Sequence, residues 1–151
     1  AASDVYKRQL YGMAGVRLGY CLCSDTELLA RMRAAGQPWA VSSLAQAAGI
    51  AALDETEYVA KVRALIEAQR PVLADGLRAL GLRVIEGRAN YLLFRAPEAL
   101  GEALRRKGAV LRSCGNYPGL DASWYRTAVR TENENRQLLA LLAETLPEVA
   151  Q

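Results

Sequence analysis

Apolar positions fall at helical spacing along much of this chain and alternate with polar ones along the rest. The longest helical signal comprises Val59, Val62, Leu65, Ile66, Val72, Leu73, Leu77 and Leu80, which keep one apolar face over about 55–80. Pro71 removes an amide donor inside that run and predicts a kink. Upstream, Ser24 with Glu27 forms a capping-box pattern for a helix to about Ala34, and Gly36 is its stop signal. Gln37-Pro38-Trp39 reads as a turn. Ser42 or Ser43 can cap the segment SLAQAAGIAAL, whose small residues predict close helix packing. Asp54 with Glu57 repeats the capping pattern ahead of the long helix.

Beyond Leu80 the order predicted is β–β–α–β–β–α. Leu82–Glu86 and Tyr91–Arg95 alternate as strands around Gly87-Arg88-Ala89-Asn90. Pro97 suits the first turn of a helix running to Lys107, ended by Gly108. Val110–Cys114 and Trp124–Val129 are strand-like, with a turn rich in Gly, Asn, Pro and Asp between them. Thr131 with Glu134 is a capping box for a last helix from Glu132 to about Leu146, with Pro147 as its stop. Helices on one side of a small antiparallel or mixed sheet, an α/β arrangement, are the natural outcome.

The chain has 151 residues, enough for one compact domain or part of a larger protein, and its 52% hydrophobic content suffices for a core. A net charge of +3 without a basic run argues against a dedicated nucleic-acid surface. Leu10–Cys23 runs from a Gly-containing loop into an apolar strand, but no apolar run reaches membrane-spanning length and no signal-peptide pattern is present. An odd count of 3 cysteines suits a reduced, cytoplasmic protein. With no histidine and no Cys-x-x-Cys, no zinc site is expected.

The candidate chemistry lies in VLRSCGNYPGLDASWYRTAVR, residues 110–130. Each predicted strand there carries an arginine, Arg112 and Arg126, and Arg130 follows the second. Two guanidinium forks on strands bordering a site can each take a carboxylate or phosphate bidentately. On spacing alone, solvent-facing arginines on a half-exposed sheet explain the pattern better.

The surrounding residues change that weighing. Arg-Ser-Cys-x-Asn-Tyr-Pro-Gly-Leu-Asp, Tyr-Arg-x-Ala-x-Arg and Glu-Asn-x-x-Leu-Leu resemble the C-terminal segment of the class I/II aminotransferase superfamily of pyridoxal-phosphate enzymes. Arg-Ala-Asn-Tyr-Leu-Leu at 88–93 and Tyr-Gly-Met-Ala-Gly-Val-Arg-Leu-Gly-Tyr at 11–20 extend the resemblance to everything from Leu10 onward. Its threonine-phosphate decarboxylase branch is the nearest match, with the histidinol-phosphate aminotransferase branch beside it.

The resemblance implies a fold type I enzyme that binds pyridoxal 5'-phosphate and a small phosphorylated amino acid, cytoplasmic and homodimeric when full length. It implies that 10–54 is a remnant of the large cofactor-binding domain, 55–80 a linking helix and 81–151 the C-terminal small domain. Arg17 matches the arginine that holds the cofactor phosphate. Arg126 matches the arginine for the substrate carboxylate, and Arg112 the one for the substrate phosphate. The Schiff-base lysine belongs eight residues before Arg17, where Gln9 stands. Lys7 is two positions off, about 6–7 Å of extended chain, too far to substitute. Residues 1–9 resemble a sequencing-adapter scar. With no catalytic lysine, the chain alone is expected to be inactive. Asn116 and Tyr117 read first as loop-shaping residues, and Cys114 as a buried or loop cysteine without a redox role. A stand-alone module binding anions or another protein through Arg112 and Arg126 is the non-enzymatic alternative.

Overall fold

The computed structural model describes residues 2–4 and 11–149. The readings of Lys7, Gln9 and Leu10 lie outside them. The described residues form two compact units that meet in sequence between Val62 and Arg63, within one helix.

In the first unit, β1 (Ala2–Asp4) pairs antiparallel with β2 (Tyr20–Leu22) as a separate two-stranded ribbon. A 3-10 turn, Ala14–Val16, lies between them. Helices α1 (Thr26–Ala35) and α2 (Ser43–Asp54) follow, then α3 (Thr56–Ala79), which carries the junction. Ala45 and Ala52 are buried on α2. A Cβ added to Gly49 on the same face would stand 2.4 Å from Leu18 Cδ2. The small residues of α2 thus admit the loop that precedes β2, rather than another helix.

Two caps differ from expectation. Asp25, not Ser24, caps α1, its carboxylate accepting from the Leu28 amide at 2.9 Å. A carboxylate at the positive helix end adds a charge term that a hydroxyl lacks. Asp54 is the last residue of α2 rather than the cap of α3, because α2 continues through it and only Glu55 separates the helices. Ser42 does cap α2, accepting from Ala45 N at 3.2 Å.

The second unit is a two-layer α/β structure. Its antiparallel sheet has the order β3-β4-β6-β5, with β3 Arg83–Ile85, β4 Tyr91–Arg95, β5 Arg112–Ser113 and β6 Trp124–Ala128. Helices α4 (Leu100–Arg106) and α5 (Glu132–Val149) complete the order β–β–α–β–β–α. Alternation along β4 and β6 buries Leu92, Phe94, Tyr125 and Thr127 on one face. Leu92, Phe94 and Tyr125 pack with Leu73 and Leu77 of α3, Leu100 and Leu104 of α4 and Leu142 of α5. The Tyr125 hydroxyl is satisfied within this layer: it donates to Glu98 O at 2.6 Å and accepts from Gly101 N at 3.2 Å. All helical packing is thereby on one side, and Tyr91, Leu93, Arg95, Trp124, Arg126 and Ala128 face the other way.

Helices α3 and α4 end alike. Gly81 (φ +78) and Gly108 (φ +85) take the left-handed position after each. The paired bonds Leu82 N to Leu77 O with Gly81 N to Arg78 O, and Ala109 N to Leu104 O with Gly108 N to Arg105 O, close both turns. The Thr131–Glu134 capping box is present in both directions, Thr131 N to Glu134 Oε2 at 3.2 Å and Glu134 N to Thr131 Oγ1 at 3.5 Å.

Both prolines expected at helix ends sit elsewhere. Pro97 precedes α4, in a turn closed by Leu100 N to Pro97 O. Pro147 lies inside α5, which runs to Val149. Pro147 removes one amide donor close to the helix end, and the helix continues past it for two residues. Pro71 likewise sits within a continuous α3. The strand expected over 110–114 is shorter, since only Arg112 and Ser113 reach ladder partners.

Candidate anion-binding site

Arg112 and Arg126 stand directly opposite each other in the β5–β6 ladder. Residues in register share a face, so both guanidinium groups rise from the side of the sheet that no helix of this unit covers. Arg126 is half-buried and Arg112 exposed. Among the described residues neither has a carboxylate partner, whereas Arg95, Arg78, Arg130 and Lys107 each have one.

Each of the two is seated instead on an aromatic ring. The guanidinium carbon of Arg126 lies 4.6 Å from the Tyr91 ring centroid, and that of Arg112 lies 5.9 Å from Tyr117. Arg112 Nη2 also donates to Asn116 Oδ1 at 3.3 Å. The two loop residues read as shaping the turn therefore hold Arg112.

The loop that carries them is fixed at both ends. Cys114 N donates to Trp124 O at 2.8 Å, and Tyr117 N to Cys114 O at 3.0 Å. Gly115 approaches Ala122 so closely that a Cβ would lie 3.1 Å from Ala122 Cα and 3.2 Å from Ala122 N. Asp121 receives the Ser123 amide at 2.9 Å and also the Ser123 hydroxyl. Those two bonds, with Arg95 nearby, hold the Asp121 carboxyl below the usual range. Arg95 Nε donates in turn to Ser123 Oγ at 2.8 Å. Cys114 itself is buried and free, its sulfur 3.8 Å from Arg112 O.

The far end of β6 is held by the Asn of the Glu-Asn-x-x-Leu-Leu motif, a residue to which the sequence assigned no role. Asn135 is 3% exposed. Its Oδ1 accepts from Arg130 N at 3.1 Å, and its Nδ2 donates to Arg130 O at 2.9 Å and to Gln69 Oε1 at 3.2 Å. One side chain thus ties the strand exit to α5 and α3. The motif contains this Asn inside a polar first turn, ENEN, but not the partners it binds. Arg130 turns outward to Glu134, with Nε to Oε1 at 3.0 Å.

Arg17 belongs to the first unit. It follows the 3-10 turn in the left-handed conformation, φ 57 and ψ 31, and is exposed. A non-glycine residue there carries strain of the kind that clusters at ligand sites. Among the described residues its fork makes one long donation, from Nη1 to Ala14 O at 3.4 Å. Among the described residues no helix is long and apolar enough to cross a membrane.

The second unit sets Arg112 and Arg126 on the sheet face that its own helices leave free, and in the first unit Arg17 takes the left-handed conformation after a 3-10 turn. Comparison gives the class: residues 10–142 match the model of the aminotransferase class I and II family, and the chain belongs to that family. It is 38% identical over 146 residues to the threonine-phosphate decarboxylase of Salmonella typhimurium, covering 94% of this chain and 40% of that protein. It is 39% identical over 143 residues to the histidinol-phosphate aminotransferase of Symbiobacterium thermophilum, covering 93% and 39%. The crystal structure of the histidinol-phosphate aminotransferase from Clostridium acetobutylicum superposes with a TM-score of 0.83 at 30% identity, over 92% of this chain and 43% of that one. The enzyme of the same name from Sinorhizobium meliloti, solved in complex with pyridoxal-5'-phosphate, matches at TM-score 0.69 and 25% identity, over 93% and 38%. The chain is thus a partial fold type I aminotransferase structure, and it spans about 40% of the length of the curated relatives it matches.

Proposed function

We propose that this chain supplies the C-terminal section of a pyridoxal-phosphate enzyme acting on a small phosphorylated amino acid, most specifically threonine-phosphate decarboxylase of cobalamin biosynthesis. The observation that carries the reading is the register pair Arg112–Arg126, two cations in one ladder step without a carboxylate between them. A substrate with a carboxylate and a phosphate brings one anion to each. Arg126, half-buried and seated on Tyr91, takes the carboxylate. Arg112, on the loop side with Asn116, takes the phosphate.

The residues present fit the cofactor's phosphate. Arg17 offers an exposed fork in a strained turn, and a guanidinium is matched to a phosphate dianion. When bound, pyridoxal phosphate supplies the electron sink for the bond broken at Cα. The contribution of Arg126 is orientation: by fixing the carboxylate it decides which Cα bond stands perpendicular to the cofactor plane. Decarboxylation needs that bond to be the one to the carboxylate, and transamination needs it to be Cα–H. Identities of 38% and 39% to relatives of either kind weigh the two activities nearly equally, so histidinol-phosphate aminotransferase is the second reading.

In this reading 10–54 belongs with the large domain, 55–80 links the domains and 81–151 is the small domain, and the full-length enzyme is a cytoplasmic homodimer. Gln9 has no amine where the family's anchoring lysine belongs, and the chain alone forms no covalent bond to the cofactor and turns nothing over.

The test joins this chain, with Gln9→Lys, to the N-terminal section of Salmonella threonine-phosphate decarboxylase. Arg126→Ala lowers kcat/KM for every amino acid, because all share the carboxylate. Arg112→Ala lowers it for O-phospho-L-threonine and spares an unphosphorylated amino acid of similar size. Loss of a charge-assisted hydrogen bond, about 1.5–3 kcal/mol, corresponds to roughly one to two orders of magnitude. Equal loss on both substrates in Arg112→Ala refutes the phosphate role.

A further inference from the structure

We infer that Tyr91 is a positioning residue for substrate binding: its ring is the seat that aims the Arg126 guanidinium, an inference that rests on the carboxylate role proposed above for Arg126. Tyr91 pairs with Ala128, and Leu93 pairs with Arg126. Tyr91 is therefore diagonal to Arg126 on the same face, one of the positions long side chains reach across a ladder. The 4.6 Å separation is the shortest of the cation–ring contacts on this face, against 5.7 Å for Arg83 over Trp124 and 5.9 Å for Arg112 over Tyr117.

The seat answers an electrostatic need. Arg112 lies in register with Arg126 on β5, and like charges directly opposite repel. Tyr91 is on β4, across β6 from β5. A guanidinium resting on Tyr91 leans away from Arg112 and is held by the negative face of the ring. Arg112 leans the other way, toward Tyr117 and Asn116 in the loop. The forks are separated without a carboxylate, which would compete with an anionic substrate for them. A ring face attracts the cation from behind and leaves the edge of the fork, with its N–H donors, open.

The ring, and not the hydroxyl, performs this role. Tyr91→Phe keeps the seat, whereas Tyr91→Leu keeps bulk on a half-buried position and removes the quadrupole.

The experiment uses the 151-residue chain, with nitrogen-15 arginine signals as the readout and O-phospho-L-threonine as the probe. In the wild type and in Tyr91→Phe, the Arg126 Nε–H signal is shifted by the ring current, ordered, and moved by the probe. In Tyr91→Leu the shift disappears, the order parameter falls and the Kd for the probe rises about three- to tenfold. Far-UV circular dichroism and the melting curve of Tyr91→Leu stay those of a folded chain, since the residue is outside the buried core. If Tyr91→Leu leaves Arg126 ordered and binding unchanged while Arg126→Ala loses it, the positioning role is wrong and the carboxylate role stands. If the probe leaves the wild-type Arg126 signal unmoved, or Arg126→Ala binds as well as the wild type, both fall together.

Discussion

Asn135→Ala removes three hydrogen bonds at one stroke. The bonds run from Arg130 N, to Arg130 O and to Gln69 Oε1, at 3.1, 2.9 and 3.2 Å, around a side chain that is 3% exposed. At about 1 kcal/mol net per bond, with Arg130 itself near water, the second unit loses roughly 2–3 kcal/mol. With a urea m-value of about 1–3 kcal/mol/M, the midpoint falls by on the order of 1–2 M. Urea titration followed by Trp124 fluorescence, in a Trp39→Phe background, reads this unit alone. Gln69→Leu is the internal control: it leaves both Arg130 bonds in place and costs less. Asn135→Asp gives an independent pH signature. Its carboxyl replaces a donor that faced two acceptors, and its folded pKa rises. A raised carboxyl pKa makes the deficit smallest below about pH 3.9 and larger as pH climbs through the folded value. A midpoint shift below about 0.3 M for Asn135→Ala, or a deficit for Asn135→Asp that shrinks with rising pH, refutes the latch; the first bound is about a third of the smallest shift expected from the same m-values.

Gly76→Ala places a Cβ 2.4 Å from Leu139 Cδ1, and calorimetry should find the overpacking loss, about 1–3 kcal/mol, outweighing the gain in helix propensity. Lys107 bridges Glu148 and Glu144 at 2.7 and 2.9 Å, Glu148 first and then Glu144 raising its pKa. The advantage of wild type over Lys107→Met in melting temperature is therefore full below about pH 10.4 and disappears as pH rises through the folded value. Asp121 and Glu134 have lowered pKa values, from bonds to Ser123 and Thr131 respectively. Their stabilisation holds above about pH 4 and is lost as pH falls through the folded values, so Asp121→Asn with Glu134→Gln flattens the acid limb of an unfolding titration.

Most elements of the second unit were legible because one face of each is apolar and the other polar. Val59 to Leu80 gave the long helix, period two gave β4 and β6, and glycines 81 and 108 stand where the chain turns. The misreadings share a cause. Ser24, Asp54, Pro97 and Pro147 are all end signals, and an end is decided by which neighbour supplies the partner, not by the residue type. Asp25 outcompeted Ser24 because a carboxylate one residue on reached the free amide of Leu28. The short β5 was overread because Val110 and Leu111 are apolar, yet only Arg112 and Ser113 find a ladder.

The site was less legible than the fold for a reason of geometry. Two arginines fourteen positions apart can be recognised from their motif, but opposition depends on the turn between them. Gly115, Gly119 (φ +85) and Asp121 fold that turn so that Arg112, not Ser113, meets Arg126. One residue of slip would put Ser113 there and turn Arg112 toward the helices. The register accordingly costs something: like charges directly opposite oppose folding by up to about 1 kcal/mol. The chain does not lack acids to relieve it, since Glu144 and Glu148 both serve Lys107, and Asp75 and Glu86 both serve Arg78. A chain that doubles its acids elsewhere and leaves Arg112 and Arg126, opposed in one ladder step, to aromatic seats breaks a local rule of stability there. Such breaks are expected where a ligand supplies the missing partner, and in the reading proposed above that partner is the anionic substrate.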